Sequence, residues 1–82
     1  MQLHNLKIDY EYGMSVEDGS KTFEIRKNDR DYKEDDLIVF NCPGSESLTE
    51  RFSEKIYRIE YITNYAQKEG WVVFSIKLLI II

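Results

Sequence analysis

The sequence predicts a mainly β fold of the α+β kind, a small five-stranded β-barrel with one short helix near the N-terminus. Three observations lead there. The 82 residues include six tyrosines, four phenylalanines and one tryptophan, and together with Ile and Val these favour pleated, half-buried strands. Five separate stretches carry a period-two alternation of side chains. Turn-forming or polar residues separate most of them. A chain of 82 residues makes one domain, 1–82, with no room for a separate catalytic domain. Closure into a barrel is expected because it removes the edges that a small sheet would leave open.

Taken in order, Leu3 to Asp9 alternates loosely, with Leu6 and Ile8 on one face, and reads as a short strand. Tyr10 to Asp18 places Tyr10, Met14 and Val16 or Glu17 at loose helical spacing, and Gly19 supplies a C-terminal stop. Gly13 weakens that helix by up to about 1 kcal/mol relative to alanine. Thr22 to Lys27 is the second strand. Its alternation sets Phe23 and Ile25 on one face and Thr22, Glu24 and Arg26 on the other. The simplest arrangement buries the first pair and presents the three polar side chains together on a second surface. Asn28 to Asp36 is a polar loop, and Asp36 to Asn41 a third strand in which Leu37 and Val39 alternate with Ile38 and Phe40. Pro43-Gly44-Ser45 marks a turn. Phe52 to Tyr65 reads as one long strand with Tyr57, Ile59 and Tyr61 toward the core, and Trp71 to Leu78 as the last strand with Val72, Phe74, Ile76 and Leu78 on one face.

Composition excludes several classes of function. The net charge of −4 argues against a general nucleic-acid packaging protein, because phosphate binding depends on accumulated Lys and Arg. With one cysteine, Cys42, there is no internal disulfide framework, and with one histidine, His4, no zinc site of the Cys/His kind. No metal and no cofactor is expected, and the reduced cysteine usage reads as cytoplasmic. Met1 to Tyr10 lacks the pattern of a secretory signal. The run Leu78-Leu79-Ile80-Ile81-Ile82 is far shorter than the ~20 apolar residues of a membrane span. It is expected to end a buried strand. The alternative is exposure, with self-association into a homodimer through this C-terminal strand.

One stretch runs against the acidic balance. From Ser20 to Lys33 there are five basic residues (Lys21, Arg26, Lys27, Arg30, Lys33) against three acidic ones, so this segment carries +2 and the remainder −6. Such a local island suits an anionic or polar ligand.

Within it, Gly19-Ser20-Lys21-Thr22-Phe23-Glu24-Ile25-Arg26 matches G-x-K-x-x-E-x-R and resembles the ASCH domains, small β-barrels of the PUA-like superfamily. The likeness extends to a short bacterial and phage subfamily of unknown function. It takes in His4-Asn5-Leu6-Lys7, the continuation Lys27-Asn28-Asp29-Arg30-Asp31-Tyr32 and Glu69-Gly70-Trp71-Val72-Val73-Phe74-Ser75-Ile76. The chain departs from the family at Asp35-Asp36, where Gly-Asp is usual, and in a shorter or diverged Asn41 to Ser53. The resemblance implies RNA binding, by analogy with PUA domains. One ASCH group is an amidohydrolase on acylated cytidine, with a lysine at the Lys21 position, a threonine at the Glu24 position and a glutamate from a later strand. Glu24 puts a carboxylate where that group has a hydroxyl.

A cleft built on Lys21, Glu24 and Arg26 has chemistry to offer. An arginine fork holds phosphate or keeps a neighbouring carboxylate charged. A carboxylate accepts hydrogen bonds from an exocyclic amino group, as it does with cytosine. Lys27 and Arg30 would contact phosphate, and Tyr32, Trp71 or a tyrosine of the long strand would stack on a base, a contact worth ~1–3 kcal/mol. The expected partner is RNA or a modified nucleotide. As an enzyme, the chain would use Lys21 and Glu24 as its catalytic pair on an acylated nucleobase such as N4-acylcytidine. A third reading is a protein-interaction module. Against all of these stands the plain alternative of a solvated Glu–Arg pair worth ~0–1 kcal/mol, with Lys27 and Arg30 paired to Asp29 and Asp31. His4 reads as a histidine with a structural hydrogen bond rather than a general base, and Cys42 as a small apolar residue.

Overall fold

Each of the five alternating stretches forms a strand. The computed structural model describes residues 1–82 as β1 (Leu3–Lys7), α1 (Tyr10–Glu17), β2 (Phe23–Lys27), β3 (Leu37–Asn41), α2 (Glu46–Ser53), β4 (Lys55–Thr63) and β5 (Trp71–Ile81). The strands make one sheet in the order β1-β3-β4-β5-β2. All pairs are antiparallel except β1 with β3, which run parallel, Leu3 opposite Leu37 and Lys7 opposite Asn41. A parallel pair needs a crossover, and the connection through α1 and β2 supplies it.

The sheet curls into a half-barrel and does not close. β1 and β2 are its two edges, with no backbone ladder between them. This corrects the expected barrel. The sheet has two helices rather than one. The second, α2, was not expected, and its last two residues, Phe52 and Ser53, were read as the start of the long strand. Ser45 caps it by accepting from the Leu48 N–H at 3.3 Å, and Leu48 and Phe52, one turn apart, are fully buried. The long strand therefore starts at Lys55, not Phe52.

The core lies on the concave face. Ile38, Phe40, Leu48, Phe52, Tyr57, Ile59 and Phe74 are buried there with Leu6, Val72 and Ile76. Phe40, Phe52 and Tyr57 meet in tilted and edge-on contacts with ring centroids 5.4–6.2 Å apart, the geometry aromatic quadrupoles prefer. Gly13 has a packing reason. A Cβ there would stand 2.9 Å from Leu48 Cδ2, so the missing side chain lets α1 lie close to α2.

Two inward assignments fail, for different reasons. A register shift interrupts the β4–β5 pairing between Ile59 and Tyr61, and the extra residue on β4 reverses the alternation beyond it. Tyr61 is therefore 63% exposed, while Ile62 packs against the core. Leu78 keeps its place opposite the buried Tyr57, but β2 pairs β5 only from Trp71 to Ser75, and Leu78 is exposed with the whole run to Ile82, at 39–77%. The expected burial of that run does not occur.

Candidate functional site

The register of β2 against β5 decides which way the basic island faces. Glu24 lies opposite Phe74 and Arg26 opposite Val72. Opposed residues share a face of the sheet, and Phe74 and Val72 belong to the core. Glu24 is thus drawn inward, to 3% exposure, while Phe23 and Ile25 are left outside at 43% and 52%. This inverts the expected burial of Phe23 and Ile25. The polar side of β2 is the concave one.

A carboxylate in such a position needs partners for both oxygens. Lys21 Nζ contacts Oε2, and the Arg26 guanidinium reaches Oε1 through Nε at 2.9 Å and Nη2 at 2.7 Å. Lys21 also donates to the Phe23 carbonyl at 2.6 Å, and its ammonium lies 5.4 Å and 4.9 Å from the ring centres of Tyr12 and Phe23. Lys21, Glu24 and Arg26 are therefore together, as a cation–carboxylate–cation triad with a cation on each carboxylate oxygen.

Arginine side chains bridge the gap between the edges β1 and β2. Arg26 Nη2 donates to the Lys7 carbonyl at 2.9 Å and Arg30 Nη1 to the Asn5 carbonyl at 3.1 Å. Carbonyls two residues apart point to the same side of a strand, so both bonds fall on the open edge of β1. Along this seam runs a cleft of about 420 Å³. Its walls carry four cations, Lys7, Arg26, Lys27 and Arg30, against Asp9 and Asp29, and the aromatic side chains Tyr12, Tyr32 and Trp71. Lys21 and Glu24 lie beside it, in a second pocket of about 270 Å³ that shares Tyr12 and Ile25.

Four of the six expected binding residues, Arg26, Lys27, Arg30 and Tyr32, line the main cleft. Lys27 and Arg30 do not pair with Asp29 and Asp31. Asp31 contacts Lys33 at 3.3 Å instead. Tyr32 is 5% exposed, its ring packed on His4 and Phe74 with centroids 4.9 Å and 5.0 Å away. Burial pushes its hydroxyl pKa up, against the pull of Arg26 and Arg30, so it stays protonated and forms wall rather than stacking surface. Sequence reasoning missed Lys7 and Tyr12, which only the folding of β1 and α1 against β2 brings to the cleft. Trp71 was among the stacking candidates the sequence offered, and its pairing with Lys27 brings it to the cleft.

His4 is buried and bonded through Nε2 to Asp36 Oδ2 at 2.8 Å. Asp36 also accepts from the backbone N–H groups of Gln2 at 3.0 Å and Lys33 at 3.1 Å. This network fixes the start of β1 to the end of the basic loop. Asp35 precedes it with φ +72°, a conformation glycine adopts without strain.

The architecture and the seam define a class: a small α+β domain with a half-barrel sheet and a basic cleft between its edge strands. The chain belongs to the family described as "Domain of unknown function (DUF3850)", whose model matches residues 3–76 and so takes in every residue of the cleft. It is similar in fold to the crystal structure of the hypothetical protein PH0355, at 16% identity and a TM-score of 0.62, over 96% of this chain and 100% of that one. No curated protein matches the sequence. No helix is long and apolar enough to cross a membrane.

Proposed function

We propose that the cleft between β1 and β2 binds an unstacked RNA base or a modified nucleotide, on a PUA-like scaffold of the ASCH type. The observation that carries this reading is the convergence of Lys7, Arg26, Lys27 and Arg30 with Trp71 and Tyr12 in one cleft of a chain whose net charge is −4. Arg30 and Lys27 are exposed and take phosphate. Arg26, held through Nε and Nη2 by Glu24 and the Lys7 carbonyl, keeps Nη1 to donate to a phosphate or a base carbonyl. Trp71 and Tyr12 offer flat apolar surface to a base, contacts that tolerate any sequence. Glu24 positions Lys21 and Arg26 rather than reading an amino group, because both of its oxygens are occupied. Single-stranded or splayed-out bases suit such a cleft better than a duplex does.

One titration series tests this. Single-stranded RNAs, nucleoside monophosphates and N4-acylcytidine are added to the protein at low and at high salt, with fluorescence of Trp71 as the signal and the acyl compound followed for turnover. Binding at low salt, weakened about tenfold or more by Arg30→Ala, is the expected result. No binding of any of these ligands at low salt removes the proposal. Turnover of the acyl compound would transfer the reading to an amidohydrolase served by the Lys21–Glu24 pocket.

A further inference from the structure

We infer that the main chain of Ile25 reads the base, pairing its N–H and C=O with the Watson–Crick edge of an unpaired nucleobase. The inference rests on the cleft being a nucleotide site and names the atoms that recognise the base. The phase of the β2–β5 ladder is fixed at both ends. The Thr22 carbonyl accepts from the Ile76 N–H at 2.9 Å, and the Asn28 N–H donates to the Gly70 carbonyl at 2.8 Å. Successive residues of a strand turn their backbone groups to opposite sides, so Thr22, Glu24, Arg26 and Asn28 turn toward β5. Phe23, Ile25 and Lys27 turn the other way, into the seam with β1. On β1 the Ile8 N–H bonds to the Asn41 carbonyl of β3 at 2.9 Å, which leaves Asn5 and Lys7 to face the seam from its other side.

Four of these five carbonyls are occupied. Phe23 accepts from Lys21 Nζ at 2.6 Å and Lys27 from the Asp29 N–H at 2.9 Å. Lys7 accepts from Arg26 and Asn5 from Arg30. Ile25 alone keeps both its donor and its acceptor. A guest strand needs both from successive outward residues, and the seam offers them at one residue only. A nucleobase needs no more than one. Every Watson–Crick edge sets a donor beside an acceptor: an amino group next to a ring nitrogen in adenine and cytosine, a ring N–H next to a carbonyl in uracil and guanine. Ile25 and Tyr12 are the two residues common to the main cleft and the pocket beside it. A base laid on the Tyr12 ring therefore has Ile25 as its neighbour, with Lys7 and Arg30 in the same cleft for its phosphate. Bases already paired in a duplex have no free edge to present.

Calorimetric titration at low salt tests this. Uridine monophosphate and its N3-methyl derivative carry the same phosphate and the same stacking face, and differ only at the edge that Ile25 would read. Wild type is expected to bind the unmethylated nucleotide about tenfold or more tightly, the cost of one buried hydrogen bond left unmade. Ile25→Pro deletes the N–H and spares the ladder, since an edge strand accepts proline where its N–H would face outward. It is expected to weaken the unmethylated nucleotide by a larger factor than the methylated one, with an unchanged circular dichroism spectrum. Equal affinity of wild type for the two nucleotides, or equal weakening of both by Ile25→Pro, overturns the inference and leaves the cleft a nucleotide site. Absence of binding by both nucleotides also overturns it, and if single-stranded RNA fails to bind as well, the nucleotide reading falls with it. Should Ile25→Pro not fold, the comparison of the two nucleotides on wild type decides alone.

Discussion

Asp35 holds a backbone conformation that its side chain opposes. With φ +72° it stands in the left-handed region, which costs an ordinary residue roughly 1–2 kcal/mol, and aspartate somewhat less. Glycine adopts that conformation without strain. Asp35→Gly is expected to raise stability by about 0.5 kcal/mol, the relief of strain exceeding the added freedom of the unfolded chain. A urea denaturation curve showing a loss instead would mean that the aspartate side chain has an unrecognised partner. Its neighbour Asp36 is poised differently. Burial pushes its pKa up, but hydrogen bonds from His4, Gln2 and Lys33 outweigh this and leave the carboxyl below its ordinary value. A depressed carboxyl contributes stability that is present above its unfolded pKa and lost as pH falls through the folded one. Stability is therefore expected to decline from about pH 4 downward, and Asp36→Asn to be less stable near neutrality with a shallower acid limb. Part of the slope should survive in that variant, because Arg51, chiefly, and Lys55 also hold Glu17 below its ordinary value. Parallel acid limbs for wild type and variant would contradict this assignment.

The helices α1 and α2 meet over a single missing side chain. Alanine at Gly13 would gain up to about 1 kcal/mol of helix propensity. It would also set a Cβ 2.9 Å from Leu48 Cδ2 and 3.4 Å from both Ile8 and Phe52, in a packed interior where overfilling costs about 1–3 kcal/mol. Thermal unfolding of Gly13→Ala is expected to show a net loss of about 1 kcal/mol, and a stabilised variant would mean that the helices are not so closely seated. Elements of this kind also show where the sequence was readable. Ile38 and Phe40, or Val72, Phe74 and Ile76, alternate without interruption, and their inward faces follow from period two alone. Tyr61 lies past a register shift and Leu78 beyond the reach of β2, and neither leaves a mark in composition. Helix α2 did leave a signal, since Ser45 stands three residues before Leu48, and Leu48 and Phe52 are spaced for a helix. The apolar spacing there was overshadowed by the strand-like run that follows.

At the scale of the molecule, a half-barrel replaces the expected barrel because arginine side chains, not a backbone ladder, span the seam. The alternation within β2 was legible; the choice of its inner face was not. Two apolar residues, Phe23 and Ile25, lose that contest to a glutamate because pairing with β5 must keep Phe74 inside. The charge placed there is compensated by Lys21 and Arg26, and the remaining cations of the island lie along the cleft. In the proposed function, neutralisation of phosphate by a few of them would make binding fall with salt by roughly one logarithmic unit per contact for each tenfold rise in salt. Arg30→Ala is accordingly expected to flatten the salt dependence by about one contact, whereas Trp71→Ala should weaken binding at every salt concentration and leave the slope unchanged.

The strand order has a consequence for how the chain reaches this state. β1 has no hydrogen-bonded neighbour until residues 37–41 exist, and β2 none until residues 71–75 exist. Contacts so distant along the chain must be reached by closing long loops before they return any enthalpy. On a ribosome the groove-forming arginines would emerge early and wait, unorganised, until residues 71–75 have been made.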